Sequence, residues 1–370
     1  MGKRRLKKST AIYLIVVFSA LLVLACCLAF YVYKSKNLQL NFAREITEVQ
    51  YGSEFDPVAL KLDNASLGLD DSYEIIYPKV QTSEVGEKEY IFVLKQGLFR
   101  RKFNHIINII DTTPPEFEVK YYYITLENSN YNFERNVKDR IVDNHDGNIP
   151  IREMKYIGEI GQEPGVYEVR YEISDSSGNV ASKTVYFLYK LRPENMKEPF
   201  YFQYNGTKHI LANKWVPLPK KYSPGADKTA REQLTKMRNA MSKAGVGVAV
   251  ASGYRSYSTQ SGLFSRYAAK AGAAEANRYS ARAGYSEHQT GLAYDIGKVS
   301  ESFANTKSFA WLQEHAHEYG FIMRYPENSE KITGYIYEPW HYRYVGVELA
   351  TAVKESGLTL EEFIGYTYTP

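Results

Sequence analysis

"SEHQTGLAYD", residues 286–295, sets a histidine and an aspartate seven positions apart around Gly291, in a chain that has only seven histidines. Its continuation, "GLAYDIG", alternates as a short strand does, so Ala293 and Asp295 share a face. Gly291 lets the chain turn, so that His288 can approach the point Asp295 faces. One imidazole and one carboxylate are two protein ligands of the kind zinc takes. A third ligand, with a general base, has to come from elsewhere, and the alternative is a surface-loop histidine with no ion.

"EPWH", residues 338–341, offers both missing parts. His341 can complete a His/Asp/His set, and Glu338 can take a proton from the attacking water. Positions three apart on an ideal strand face opposite ways. Both can serve one site only if the backbone bends, and Pro339 makes a bend reasonable. Each half is weak alone, and the bland alternative is two unrelated histidines. In "SGYRSYSTQ", residues 252–260, Arg255 follows a buried strand. A guanidinium there can hold a carboxylate or polarise a carbonyl, or simply pack a loop. His315 and His317 sit two apart on an expected helix and point about 200° apart, so they should share no metal. His105, His145 and His209 are assigned no chemistry.

The surroundings read as α+β. "LRPENMKEP" begins a charged linker at 191–210, and "LANKWVPLPKKYSPG" is an extended entry segment. "DKTAREQLTKMRNAMSKAG" has helical periodicity at Leu234, Met237 and Met241. "VGVAVASGYRS" is a buried strand, "STQSGLFSRYAAKAGAAEANRYSA" one alanine-rich helix, and "SFANTKSFAWLQEHAHEYG" another, ended by Gly320. "FIMRY" and "TGYIYEPWHYRYVG" are strand-like, and "GVELATAVKESG" with "TLEEFIG" give closing helices.

Upstream, residues 38–190 read as all-β. Runs such as "YEIIYPKV", "KEYIFVLKQ", "FNHIINII" and "VYEVRYEISD" are rich in β-branched and aromatic residues, in a chain with 33 tyrosines. "DTTPP", 111–115, removes two ladder donors and reads as a hinge between two β units, 38–111 and 112–190. A weak repeat, "EVGEKEYIFVLKQ" against "EPGVYEVRYEISD", supports two units. "DNHDGN" lacks the further ligands of an EF-hand loop and reads as a turn.

At the N-terminus, "AIYLIVVFSALLVLACCLAFYVY", 11–33, is an uncharged run long enough to span a hydrocarbon core of about 30 Å. The basic segment 1–10 would stay cytoplasmic and the rest face outward. A cleaved signal peptide and a lipoprotein signal at "VLAC" are the alternatives; the long apolar run favours an uncleaved single-pass anchor. Both cysteines, Cys26 and Cys27, lie in it, so the outer portion can form no internal disulfide. The net charge is +4, and Lys3, Arg4, Arg5, Lys7 and Lys8 carry more than all of it. With no basic stripe among aromatics, a nucleic-acid partner is excluded. Apolar residues are 44% and charged residues 24%, which suits packed cores.

Two resemblances refine this reading. "DTTPPEFEV", "VDNHDGNI" and "GVYEVRYEISDSSGNVASKTV" resemble the immunoglobulin-like modules of bacterial surface proteins; the first β unit matches more weakly. "SGYRSYSTQ", "SEHQTGLAYD" and "EPWHYRYVG", in that order, resemble the VanY-type D-alanyl-D-alanine carboxypeptidases. Their Ser-x-His-x-x-Gly-x-Ala-x-Asp pattern is met at Ser286, His288, Gly291, Ala293 and Asp295, and their Glu-x-Trp-His at Glu338, Trp340 and His341. The similarity extends over 211–364 and departs at "RAGYSEHQ", where relatives often have proline before the glycine.

With the apolar run and the β units, the resemblance completes a multidomain chain: an N-terminal transmembrane helix, two all-β immunoglobulin-like sandwiches and a C-terminal α+β zinc peptidase domain at 211–370. It implies Zn2+ held by His288, Asp295 and His341, with Glu338 as general base. Arg255 would stabilise the oxyanion or anchor substrate, and Ser286 and Gln260 would contact substrate. The implied activity is removal of the C-terminal D-alanine from peptidoglycan stem peptides outside the membrane. A wall-binding scaffold with an inactive peptidase-like region, or an endopeptidase cutting cross-links, remain alternatives.

Overall fold

The computed structural model describes residues 8–370, so Lys3, Arg4, Arg5 and Lys7 of the expected cytoplasmic segment lie outside the described residues. The chain divides into two compact units. The first comprises residues 1–115, 142–149 and 174–180; the second comprises 116–141, 150–173 and 181–370.

The first unit begins with the helix Lys8–Lys36, of which Thr10–Lys36 is long and apolar enough to cross a membrane. Its 27 residues reach about 40 Å at about 1.5 Å each. A four-stranded sheet follows in the order Ile46–Gln50, Phe99–Ile110, Gly86–Gln96, Tyr73–Ile76. The long hairpin pairs Gln96 with Phe99, leaving a two-residue turn in which Gly97 has φ +58°. That left-handed turn matches the strands' right-handed twist. Alternation in "FNHIINII" sends His105, Ile107 and Ile109 inward, against Phe92 and Leu94. His105 is a core residue: its ring bonds Thr47 Oγ1 at 2.7 Å and stacks on Phe42.

The second unit holds two sheets that matter for the site. A five-stranded sheet runs Tyr366–Thr369, Tyr123–Leu126, Val180–Tyr189, Gly165–Ser174, Lys155–Ile157. The strand Tyr366–Thr369 lies parallel to Tyr123–Leu126, with the Tyr366 hydroxyl donating to Thr125 Oγ1 at 3.0 Å. The second sheet is antiparallel, in the order Val250–Ser252, Ala293–Ile296, His341–Tyr344, Phe321–Met323.

Against that second sheet lies the helix Lys228–Lys243. Its start is fixed by Asp227, whose side chain accepts from Ala230 N. Leu234, Met237 and Met241 are buried among Tyr294, Ile296, Trp340 and Tyr342, each burial worth roughly 1.5–3 kcal/mol. The periodicity of these three residues therefore identified the correct face.

Several expected elements differ in detail. The alanine-rich segment forms two helices, Tyr257–Ala271 and Ala273–Tyr279, because Gly272 at φ +86° breaks it. "TGYIYEPWHYRYVG" contributes only His341–Tyr344 as strand. The 191–210 segment is no open linker: Tyr201–Tyr204 and Thr207–Ile210 form a hairpin with Phe202 buried.

Candidate active site

Asp295 and His341 meet because their strands are in register. Asp295 pairs directly with His341 across the antiparallel ladder, where facing Cβ atoms lie about 4.5–5.5 Å apart. The gap between His341 Nδ1 and Asp295 Oδ1 is 3.3 Å. His288 arrives from the short 3-10 helix Glu287–Thr290, which ends at Gly291 with φ +75°. A Cβ at Gly291 would sit 2.1 Å from the Gly225 carbonyl oxygen. Glycine is therefore required there for conformation and for space.

The His288 ring is oriented from behind. Its Nδ1 donates to the Gly253 carbonyl at 2.7 Å, which leaves Nε2 bare. That Nε2 is buried, has no hydrogen-bond partner, and lies 3.4 Å from Asp295 Oδ2. His288, Asp295 and His341 each offer a ligand atom, all within 4.8 Å of one another.

Glu338 joins them through a turn. His341 N donates to Glu338 O at 3.1 Å, and the strand begins only at His341. The bend brings Glu338 Oε2 to 3.6 Å from His341 Nδ1. Arg255 approaches from the loop after Val250–Ser252, with Nη2 4.0 Å from Asp295 Oδ2. Its Nε is buried without a partner. Gln260 is fully buried; its amide donates to Ala281 O at 2.6 Å while its Oε1 has no donor. Ser286 is buried in the wall of the same cavity, about 480 Å³, which Arg255, Gln260, Glu338 and Trp340 also line. All seven residues singled out in the sequence thus border one cavity.

The charges are tightly coupled. Burial pushes the Glu338 carboxyl up to about 7; His341 opposes the rise and Asp295 adds to it. Burial also disfavours ionisation of Asp295, but His288 and His341 outweigh it and hold the carboxyl well below its ordinary value. Burial lowers His288. His341 is raised to about 9, because bonds to Asp295 and Glu287 overcome burial.

Sequence reasoning missed the support behind His341. Glu287 Oε2 lies 3.3 Å from His341 Nε2, so the ring is held with Nδ1 toward the cavity. Glu287 Oε1 accepts from Arg324 Nε at 2.8 Å and Arg343 Nη1 at 3.0 Å. Arg324 in turn makes a two-point contact with Glu361, at 2.7 and 2.5 Å. None of these four side chains is more than 1% exposed. The signal was present: Arg324 in "FIMRY" and Arg343 in "HYRYVG" sit in aromatic-rich runs, and buried arginines need carboxylate partners. Glu287, beside His288, was passed over.

The sequence model of the family described as "VanY: D-alanyl-D-alanine carboxypeptidase" matches residues 225–347. YodJ of Bacillus subtilis (strain 168), which carries a carboxypeptidase name, is 39% identical over 178 residues. That match covers 41% of this chain and 65% of YodJ, just under two thirds of the relative's length. The crystal structure of the L,D-carboxypeptidase DacB from Streptococcus pneumoniae is 45% identical, covering 47% of this chain and 96% of DacB, with a TM-score of 0.43. A vancomycin-resistance D,D-pentapeptidase VanY in complex with Zn(II) is 35% identical over 42% of this chain and 97% of its own, with a TM-score of 0.38. The matched span contains His288, Asp295, Glu338 and His341 and ends just past the strand that carries His341, so over residues 225–347 the chain carries a domain of the VanY carboxypeptidase family.

Proposed function

We propose that this chain is a zinc-dependent carboxypeptidase that removes the C-terminal residue, D-alanine, from peptidoglycan stem peptides. The observation that carries this reading is the convergence of His288, Asp295 and His341 beside Glu338 in one cavity. The donor set is two imidazoles and a carboxylate, which suits a catalytic zinc with an open position. The orphaned Nε2 of His288, with Nδ1 already committed to a carbonyl, fits a metal ligand whose other nitrogen is fixed.

Zinc bound there would supply Lewis acidity to the scissile carbonyl and to the attacking water. Glu338 takes the proton from that water and returns it to the departing amine as the terminal C–N bond breaks. The unpartnered Nε and the terminal nitrogens of Arg255 suit the substrate's C-terminal carboxylate or the developing oxyanion. Gln260 Oε1 is free to accept from a substrate amide, and Ser286 lends a hydroxyl to the wall. Glu287 acts through His341 as a positioning residue.

The apolar helix supports an uncleaved single-pass anchor, with the N-terminus cytoplasmic and the peptidase facing the wall. Residues 112–190 are read as an immunoglobulin-like module, on the motifs quoted above. The test is zinc-loaded full-length chain in detergent, given tetra- and pentapeptide stems with a chelator control. Chelator-sensitive release of one terminal alanine is expected, and product mass identifies the bond cut. A zinc-replete chain that releases none, or that cuts only cross-links, overturns the reading.

A further inference from the structure

Away from the peptidase cavity, the first unit contains a second cluster of metal-ligating groups. Asp111, Asp143 and Asp175 come from three segments far apart in sequence. Each offers one carboxylate oxygen, and the three lie within 4.8 Å of one another. They are 6%, 5% and 9% exposed. None of them pairs with a lysine, arginine or histidine among the described residues. Three like charges buried together without a counter-charge are unfavourable unless a cation joins them.

Local hydrogen bonds account for only part of the oxygen surface. Asp143 Oδ1 accepts from His145 N at 2.7 Å and Asp146 N at 2.8 Å. This closes the turn expected of "DNHDGN", within a hairpin that pairs Val142 with Asn148. Asp111 Oδ1 accepts from Thr113 N and Gln50 Nε2. Asn179 bonds both oxygens of Asp175 at 2.8 Å and also donates to the Asp111 carbonyl at 3.0 Å. What remains is Oδ2 of Asp111 and Oδ2 of Asp143: buried oxygens with no donor at all. A carboxylate oxygen can only accept, so these two are free to take a cation.

We propose that the Asp111, Asp143 and Asp175 carboxylates form a calcium site that ties the 142–149 and 174–180 loops to the 111–113 segment. The ligand set is all oxygen, which selects hard cations over zinc. The ligands sit at the ends of three strands, and calcium tolerates the irregular geometry this gives where magnesium demands an octahedron. The spacing is not that of an EF-hand, because the ligands are assembled by the fold and not by one loop.

The test uses full-length chain in detergent, loaded with one equivalent of zinc and dialysed free of calcium. Hydrogen exchange is followed at 111–113, 143–148 and 175–179 while calcium is raised to about 5 mM, above the range of extracellular calcium modules. Calcium is expected to slow exchange in all three segments together. Magnesium at the same concentration should do so far less. Asp111→Asn and Asp143→Asn keep the Oδ1 acceptor that closes each turn and replace the free oxygen. Each should weaken the calcium response about tenfold or more, with zinc content unchanged. Wild-type chain that shows no calcium-dependent protection overturns the proposal without recourse to any variant. So does an equal response to magnesium, or a response that survives both substitutions.

Discussion

In the proposed reaction Glu338 is the residue on which the chemistry turns. Replacing it with alanine leaves the two histidines and Asp295 in place, so zinc should stay bound. General acid–base catalysis contributes about 10²–10⁴-fold, and kcat should fall by that amount; Glu338→Ala turning over stem peptide at the wild-type rate would mean the base is elsewhere. Burial raises the carboxyl to about 7, and a base works only when ionised. Activity, as kcat/KM, should therefore decline as pH drops below 7. A nearby cation can move that limb only downward, so a limb above pH 8, or a flat profile to pH 4, contradicts the assignment. Glu287 obeys the opposite sign. Burial alone would raise it, but Arg324 and Arg343 hold it far below the ordinary carboxyl range. Its stabilisation is present above the unfolded value of about 4.3 and disappears only as pH falls toward the depressed native value. Removing it leaves the buried Arg343 guanidinium with no carboxylate and takes one of two from Arg324, so Glu287→Ala should cost about 3–5 kcal/mol. Urea unfolding should show that deficit from neutral pH down to about 4, narrowing only below it.

At the scale of the element, the site depends on a register and a turn. Pairing Asp295 with His341 puts a carboxylate and an imidazole on one sheet face; a slip of one residue would send Asp295 to the other. The Gly291 turn supplies His288. In Gly291→Ala, the new Cβ would meet the Gly225 carbonyl oxygen at 2.1 Å, at a φ that alanine adopts at a cost of about 1–2 kcal/mol. The variant should lose both thermal stability and zinc affinity. Full zinc binding with a lowered melting temperature would separate the turn from the ligand geometry. Much of this was legible: alternation in "GLAYDIG" gave the face, and Pro339 in "EPWH" announced the bend. What was not legible is tertiary. Nothing in "SEHQ" says that Glu287 reaches behind a histidine 54 positions later. Likewise, the break at Gly272 follows from one backbone conformation inside an otherwise helical run of alanines.

On the scale of the whole molecule, composition separated an apolar N-terminal run, a β-rich middle and an α+β end. It could not foresee that the last strand returns to the β region. Tyr366–Thr369 pairs in parallel with Tyr123–Leu126, a contact across some 240 positions, and no local pattern encodes such a distant partner. The same core holds Leu188, Leu191, Phe200 and Phe202 with Leu349, Val353, Leu360 and Tyr366. The second unit's β strands and closing helices therefore stabilise one another. A chain that stops after Gly365 tests this. It loses the buried ring of Tyr366, its bond to Thr125, and the stacking of Tyr368 on Trp215 at 5.1 Å. Burial of one such aromatic ring is worth about 2–3 kcal/mol, which in a unit of this size lowers Tm by about 5 °C or more. Indole fluorescence should report the freed Trp215, and hydrogen exchange should quicken across 123–126, because the truncation turns that strand into an open edge. If the shortened chain melts with the full-length protein and 123–126 keeps its protection, the C-terminal strand is an ornament and the shared core does not depend on it.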